Sequence, residues 1–217
     1  MVYWGGMHDE TWKIIILGPQ GSGKGTQAER LSKRLGVPAL AMGQLCRDAV
    51  ASQSEIGKQI DAVVKRGELI SDQIAATLLA ARLKYPDVEG GYVLDGYPRN
   101  MDQYAAFTFD TPSHVLVIEI PREESLKRLG GRLTCDPCGK VYASSGGYKI
   151  GDACVCGGKL FQRNDDTPEA IGKRLDIYEH DTRPVIETFE ARALARRIDG
   201  AGSVDEVGAR INAALGI

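Results

Sequence analysis

No stretch of this 217-residue chain approaches the roughly 20 consecutive apolar residues of a membrane-spanning helix. The N-terminus, with Trp4, His8, Asp9 and Glu10, also lacks the basic-then-apolar order of a secretory signal. Net charge is scarce: a formal value of −2 gives no electrostatic reason to expect duplex nucleic acid or an anionic membrane surface as the main partner. There is no internal repeat, and the apolar and charged fractions are those of an ordinary globular chain, long enough for one α/β domain with a substantial core. Together these absences predict a cytoplasmic protein with neither nucleic acid nor membrane as partner. The first ten residues are expected to form a loose extension, since Met7 sits closer to the first strand signal. Cysteine is thin outside one segment. Four of the five, Cys135, Cys138, Cys154 and Cys156, fall in a glycine-crowded stretch, where in a reducing compartment they point to a metal rather than to disulfides. Cys46 stands alone in a helical pattern and is expected to pack.

What the chain does have is a glycine-rich loop closed by a lysine. Residues 13–17, Lys-Ile-Ile-Ile-Leu, read as a short strand covered on both faces, because consecutive β-branched apolar residues suit that environment. The strand runs into Gly18-Pro19-Gln20-Gly21-Ser22-Gly23-Lys24, then Gly25-Thr26-Gln27 and a helical run to Leu35. Glycines at 18, 21 and 23 let successive backbone N–H groups turn inward, and the helix N-terminus adds partial positive charge. The loop can therefore cradle a polyphosphate while Lys24 reaches its outer oxygens. One departure from the commonest form of such loops is that Gly25 follows the lysine and the hydroxyl comes one residue later, at Thr26.

Strand and helix signals then alternate. Residues 37–41 are extended, 44–52 helical, and 54–65 helical with Ile56, Ile60, Val63 and Val64 at helical spacing, stopped by Gly67. Ser71 starts another helix, with Asp72 as a first-turn acid. Residues 91–95 form a strand ending in Asp95, 114–120 a buried strand, and 122–129 a helix. A Gly- and Cys-rich excursion follows to about Asp166, after which Thr167-Pro168-Glu169 is a strong helix start. Helices flank a last strand at 195–199. The alternation predicts a P-loop α/β fold in three layers, a parallel sheet with helices on both faces.

Asp95, ending an apolar strand, lies where P-loop proteins hold the magnesium shell, although the same acid could serve only as a cap or turn residue. The arginines Arg47, Arg99, Arg128, Arg132, Arg163 and Arg174 lie near loops or element ends rather than on solvated helix faces. Planar guanidinium forks neutralise phosphate charge bidentately, and a set this size suits two phosphorylated substrates better than one.

The loop at 18–27, Leu94-Asp95-Gly96-Tyr97-Pro98-Arg99, and Arg163-Asn164-Asp165-Asp166, in this order and at these separations, closely resemble the adenylate kinases, a family of nucleoside monophosphate kinases. The resemblance covers nearly the whole chain from Lys13 to Leu215, and the length of the insertion after Gly130 is similar to the long-lid form found in many bacteria. It implies reversible transfer of a phosphoryl group from ATP to AMP, giving two ADP, with Mg2+ accompanying ATP. It also implies a monomer whose partners are small nucleotides, and three parts: a core of residues 1–40, 71–130 and 167–217, a monophosphate-binding helical segment at 41–70 and a lid at 131–166.

Residue by residue, the resemblance implies that Gly21, Ser22, Gly23, Lys24, Gly25 and Thr26 hold the ATP phosphates, with Arg128 and Arg132 as ATP-side arginines. Those two would share a helical face if the helix continues that far. Val141 and Tyr142 would flank the ATP base and Gly202 present a carbonyl to it. Met42, Arg47, Glu68, Leu69, Ile70, the turn Gly96, Tyr97, Pro98, Arg99, and Gln103 at the adenine edge would bind AMP. Arg163 and Arg174 would reach over the transferring group, making Lys24, Arg99, Arg132, Arg163 and Arg174 the catalytic set, with Asp165 and Asp166 beside the lid hinge. Such chemistry needs alignment and charge neutralisation more than a general base.

Two departures from the family pattern stand out. Where relatives show Ser-Thr-Gly-Asp-Met-Leu-Arg, this chain has Ala41-Met42-Gly43-Gln44-Leu45-Cys46-Arg47, losing two hydroxyls and an acid. Preference for AMP over another monophosphate is less firmly implied than the reaction class. In the lid, Cys135-Asp136-Pro137-Cys138 is a good zinc knuckle, but its partner Cys154-Val155-Cys156 is one residue short of the usual spacing. A structural zinc on all four cysteines, a three-cysteine site with an outside ligand, and a metal-free lid all remain open. The alternative from another class is a P-loop switch or assembly factor, which would need no second phosphate pocket.

Overall fold

A computed structural model of the chain describes residues 11–65, 70–135, 137–163 and 166–217. Strand β1 (Trp12–Leu17) leads through the glycine loop into helix α1 (Lys24–Leu35), then come β2 (Ala39–Ala41), α2 (Met42–Ala51), α3 (Glu55–Lys65) and α4 (Asp72–Arg82). Next are β3 (Gly91–Asp95), α5 (Met101–Ala106), β4 (His114–Glu119) and α6 (Arg122–Gly130). The Cys-rich excursion contributes β5 (Arg132–Cys135), β6 (Val141–Ala143) and β7 (Leu160–Phe161). The chain returns through α7 (Pro168–Ile177), α8 (Arg183–Ala191), β8 (Ala195–Asp199) and α9 (Val204–Leu215).

Five strands lie parallel in the order β2-β3-β1-β4-β8, with β1 at the centre; Ile16 lies level with Asp95 on one neighbour and Leu116 on the other. Residues 14–17 are essentially inaccessible to solvent, as their unbroken apolar run predicts. Because strand side chains alternate, Ile15 and Leu17 pack on one face with Leu94, Val117, Tyr178 and Phe189, while Ile14 and Ile16 pack on the other with Ala28, Leu31, Val207 and Ile211. Two apolar cores therefore sandwich the sheet, and truncating any of these isoleucines to Ala would cost about 2–5 kcal/mol.

The parallel strands all point their C-terminal ends, and so the glycine loop and Asp95, to the same edge of the sheet. Ser71, Asn100 and Thr167 cap α4, α5 and α7 by accepting from the main-chain N–H three residues on, and Ser203 and Glu206 form a reciprocal capping box on α9. Helix α1 starts from Gly23 at φ 91° with no side-chain cap, so its first N–H groups face the loop.

The excursion contains a second sheet, antiparallel, in the order β6-β5-β7. Strands of two to four residues are too short to carry a periodic signal, so the sequence marks this region only by its glycines and cysteines. Two further differences from sequence expectation are local. Helix α2 begins at Met42, two residues early, and α7 passes into α8 through a π-helical turn, Tyr178–Thr182, that a 3.6-residue pattern does not reveal. The expected stop at Gly67 and the N-terminal extension at residues 1–10 lie outside the described residues.

Candidate active site

The loop has the geometry of a phosphate cradle. Gly18 has φ 143°, and a Cβ there would lie 2.1 Å from the Ile118 carbonyl oxygen, so only glycine lets β1 leave the sheet at this point. Gly21 and Gly23 also have positive φ. Lys24 folds its ammonium back over the loop, donating to the carbonyls of Gly18 (2.8 Å) and Pro19 (2.7 Å). Among the described residues the Ser22 hydroxyl and the Gln20 side-chain oxygen are buried without a partner, an expensive arrangement unless a polar ligand completes it.

Lys24 is the electrostatic focus. Removal from water pushes its pKa down from 10.5 to about 8; Asp95 opposes that shift, while Arg99, Arg174 and Arg132 reinforce it. One acid and three arginines, drawn from β3, the turn after it, α7 and β5, thus converge on one ammonium. Asp95 stands against the start of α1, its carboxylate 3.3 Å from where a Cβ on Gly25 would lie. It makes no hydrogen bond among the described residues, so an oxygen ligand is available beside the loop. Thr26 is exposed one turn into α1.

Arg99 is held at three points. Its main-chain N–H donates to Gln103 Oε1 (2.8 Å), its carbonyl accepts from Thr182 Oγ1 (2.7 Å), and its Nε donates to the carbonyl of Gly96, where φ is 76°. Tyr97 is buried beneath this turn, with its hydroxyl donating to the Gln103 carbonyl, and the Tyr97–Pro98 peptide is cis. The terminal nitrogens of Arg99 stay unpartnered among the described residues. Met42 is buried and Ile70 packs against the core. Arg47 donates to Gln44 Oε1 at 2.6 and 3.2 Å. Cys46, expected to pack, is only partly buried; burial pushes its thiol up, against the pull of Arg99 and Arg47. Glu68, Leu69, Asn164 and Asp165 lie outside the described residues.

On the opposite side, Arg128 donates to Glu124 (2.7 Å) and to the carbonyls of Gly200 (3.1 Å) and Gly21 (3.4 Å), joining α6, the loop after β8 and the phosphate cradle. Arg132 does not share its helical face: Gly130 and Gly131 end α6, and Arg132 opens β5, where it grips the buried Asp166 with Nε (2.8 Å) and Nη2 (2.5 Å). Arg174 Nη1 lies 3.6 Å from the same carboxylate. Arg163 donates to Thr134 on β5 and lines, with Asp166, a cleft of about 430 Å³. Gly202 has φ 97°, just ahead of α9. Val141 and Tyr142 lie on β6, with Tyr142's hydroxyl 3.2 Å from Cys154 Sγ.

Over residues 16–194 the chain matches the family model described as adenylate kinase. Proteins named adenylate kinase from Thermodesulfovibrio yellowstonii, Carboxydothermus hydrogenoformans and Syntrophobacter fumaroxidans are each 38% identical to it. The alignments cover 90%, 94% and 94% of this chain and 94%, 99% and 99% of those proteins, respectively. The chain belongs to the adenylate kinase family. It is therefore an enzyme, and the regulatory-switch alternative falls away.

In this chain the four clustered cysteines of the excursion come together. Their sulfur atoms all lie within 4.8 Å of one another, with Cys135–Cys156 at 3.4 Å and Cys138–Cys154 at 3.6 Å, and none is in a disulfide. A tetrahedron with Zn–S bonds of about 2.3 Å places sulfurs about 3.8 Å apart, so the donor set fits. The short Cys154-Val155-Cys156 spacing is absorbed by the turn: Gly157 N–H closes on the Cys154 carbonyl three residues back, whereas Gly139 closes on Cys135 four back. A Cβ on Gly139 would come 3.9 Å from Gln44 Oε1, which sets the first cysteine turn against α2. Among the described residues no helix is long and apolar enough to cross a membrane.

Asp72 and Thr182 are the neighbours of the candidate site that sequence reasoning does not find. Asp72 reads as an ordinary first-turn acid, and Thr182 sits in a helical stretch with no motif. Both reach the site across long sequence separations, for which a single sequence carries no signal.

Proposed function

We propose that the enzyme catalyses ATP + AMP to two ADP, reversibly, with residues 41–70 as the monophosphate segment, 131–166 as the lid and the rest as the P-loop core. The observation that carries this is that Asp95, Arg99, Arg132 and Arg174, from four separate parts of the chain, all act electrostatically on Lys24 at the loop. One phosphate chain needs the cradle and Lys24; the additional guanidinium groups suit a second phosphorylated substrate facing it.

Gly21, Ser22, Gly23, Gly25 and Thr26 would offer main-chain N–H and hydroxyl groups to the ATP phosphates, with Lys24 leaving its two carbonyls to bridge the phosphates between which transfer occurs. Arg128 and Gly202 would border the ATP side, with Val141 and Tyr142 at its base. Arg99 and Arg47 would hold the AMP phosphate, lined by Met42, Glu68, Leu69, Ile70, Gly96, Tyr97 and Pro98, with Gln103 at the adenine. Arg132, Arg163 and Arg174 would cover the transferring group, with Arg132 and Arg174 exchanging part of their contact with Asp166 for phosphate oxygens. Transfer through a loose transition state asks for in-line alignment and neutralisation of phosphate charge, which this arrangement would supply without a base. Asp95 would hold Mg2+ through its shell, and the ion would neutralise charge on the ATP phosphates. Water is excluded when the lid closes, so the monophosphate is the acceptor.

The cysteine site is read as structural zinc, supported by its donor set and sulfur spacing, and the protein as a cytoplasmic monomer, where reduced cysteines are available to a metal. A coupled assay with ATP and AMP, CMP, UMP or GMP tests the function: ADP formation that requires AMP is expected. Absence of any monophosphate-dependent ADP formation would overturn it.

A further inference from the structure

Asp72 opens α4 and has no part in the roles above. Its Oδ1 accepts from Gln103 Nε2 at 2.7 Å and from Asn100 Nδ2 at 3.0 Å. At the other end of the Gln103 amide, Oε1 accepts from the Arg99 main-chain N–H at 2.8 Å. A main-chain N–H can only donate and a carboxylate can only accept, so these two neighbours dictate which end of the amide is oxygen and which is nitrogen. Turned by 180°, the NH2 would face an N–H and the carbonyl would face a carboxylate, replacing two bonds with two repulsions. Asn100 is fixed in the same way: its Oδ1 accepts from the Gln103 main-chain N–H at 2.7 Å while its Nδ2 donates to Asp72.

An amide bound at both ends keeps one N–H and one lone pair for a ligand. Adenine offers N1 as acceptor and its 6-amino group as donor, whereas a 6-oxopurine offers N1–H as donor and O6 as acceptor, the reverse order. An amide free to turn could serve either base. One fixed in orientation serves only one of them without losing its own bonds.

We propose that Asp72 is a specificity-determining positioning residue: by fixing the Gln103 amide it makes the monophosphate pocket prefer adenine to 6-oxopurines. This rests on the reading of Gln103 at the acceptor's base. IMP is the sharpest probe, because it differs from AMP only at the 6-position and the N1 proton. Steady-state kcat/KM for AMP and IMP is measured in the wild-type enzyme and in Asp72→Asn, which can donate or accept and so frees the Nε2 end of the amide, leaving the Arg99 main-chain N–H as the one bond that turning it would break. Asp72→Ser serves as a second release variant should the first fail to fold, and Gln103→Leu removes the amide altogether.

The AMP-to-IMP ratio is expected to fall by about tenfold or more in Asp72→Asn or Asp72→Ser, and in Gln103→Leu. A ratio unchanged in the Asp72 variants, with both substrates slowed alike, would mean a structural role only and overturn the proposal. A ratio unchanged in Gln103→Leu would overturn it at its premise, removing Gln103 from the base. Lack of AMP turnover in the wild type would instead overturn the proposed reaction, so the failures are distinguishable.

Discussion

Lys24 is the residue whose chemistry is most exposed to test. With its pKa near 8 in the ligand-free protein, it holds its proton below that pH and loses it above. A bound polyphosphate favours the charged form, so its pKa rises on binding and ATP binding takes up a proton wherever the free lysine is deprotonated. ATP affinity should therefore be full below about pH 8 and weaken above it. Calorimetry in two buffers of different ionisation enthalpy should detect proton uptake at about pH 9 and little at about pH 7; affinity flat across that range would refute the account. For the free protein the sign is the opposite: a depressed pKa adds stability at high pH that is lost as pH falls through about 8. Arg99 makes a second test at this scale. Its Nε is clamped by Gly96 while the terminal nitrogens remain available, a geometry lysine cannot reproduce. Arg99→Lys should raise the KM for the monophosphate about tenfold or more despite keeping the charge. Unchanged steady-state constants would remove Arg99 from that phosphate.

Among the elements, the α7–α8 pair links Arg174 to Arg99. Arg174 rides on α7, and the π-helical turn after it brings Thr182 to the Arg99 carbonyl at 2.7 Å. A helix of regular pitch would place the threonine differently, because the extra residue rotates everything beyond it. Thr182 is buried, so Thr182→Val leaves a carbonyl without its donor at little change in volume, costing about 1–3 kcal/mol. We expect kcat/KM for AMP to fall about tenfold in Thr182→Val and to stay near wild type in Thr182→Ser, with ATP binding little affected. Equal losses in both variants would show that keeping the hydroxyl is not enough, and the effect would not be the hydroxyl's grip on Arg99 alone.

Across the whole molecule, the main sheet and the lid are stabilised by different means. The sheet has two apolar cores. Among the described residues the lid's cluster comprises only Leu133, Cys135, Cys154 and Leu160, with Tyr142 against it, and two of the four are themselves thiols. A cluster that small cannot offset the chain entropy of a glycine-rich segment, and a metal would take the place of the missing core. The purified protein should carry about one zinc per chain. Cys135→Ser or chelation should lower the melting temperature and expose the lid to protease before the sheet, while the phosphate loop still binds ATP weakly. Zinc well below one equivalent after metal-replete expression would contradict this.

The glycine loop, the buried strand before it, the capping residues Ser71 and Thr167, and the clustering of four cysteines were legible in the sequence because each depends on neighbours within a few positions. The unbroken apolar run at residues 14–17 also foretold a sheet covered on both faces. Other features were not legible. Whether Arg128 and Arg132 share a face turned on where α6 stops, and whether a one-residue-short cysteine pair could join the first turned on how Gly157 closes its turn. The joining of Asp72 to Gln103 and of Thr182 to Arg99 spans 31 and 83 residues. Local chemistry determines which element a segment forms and what its side chains can donate or accept. Only the packed sheet, by fixing the distance and direction between elements far apart in the chain, decides which donor meets which acceptor.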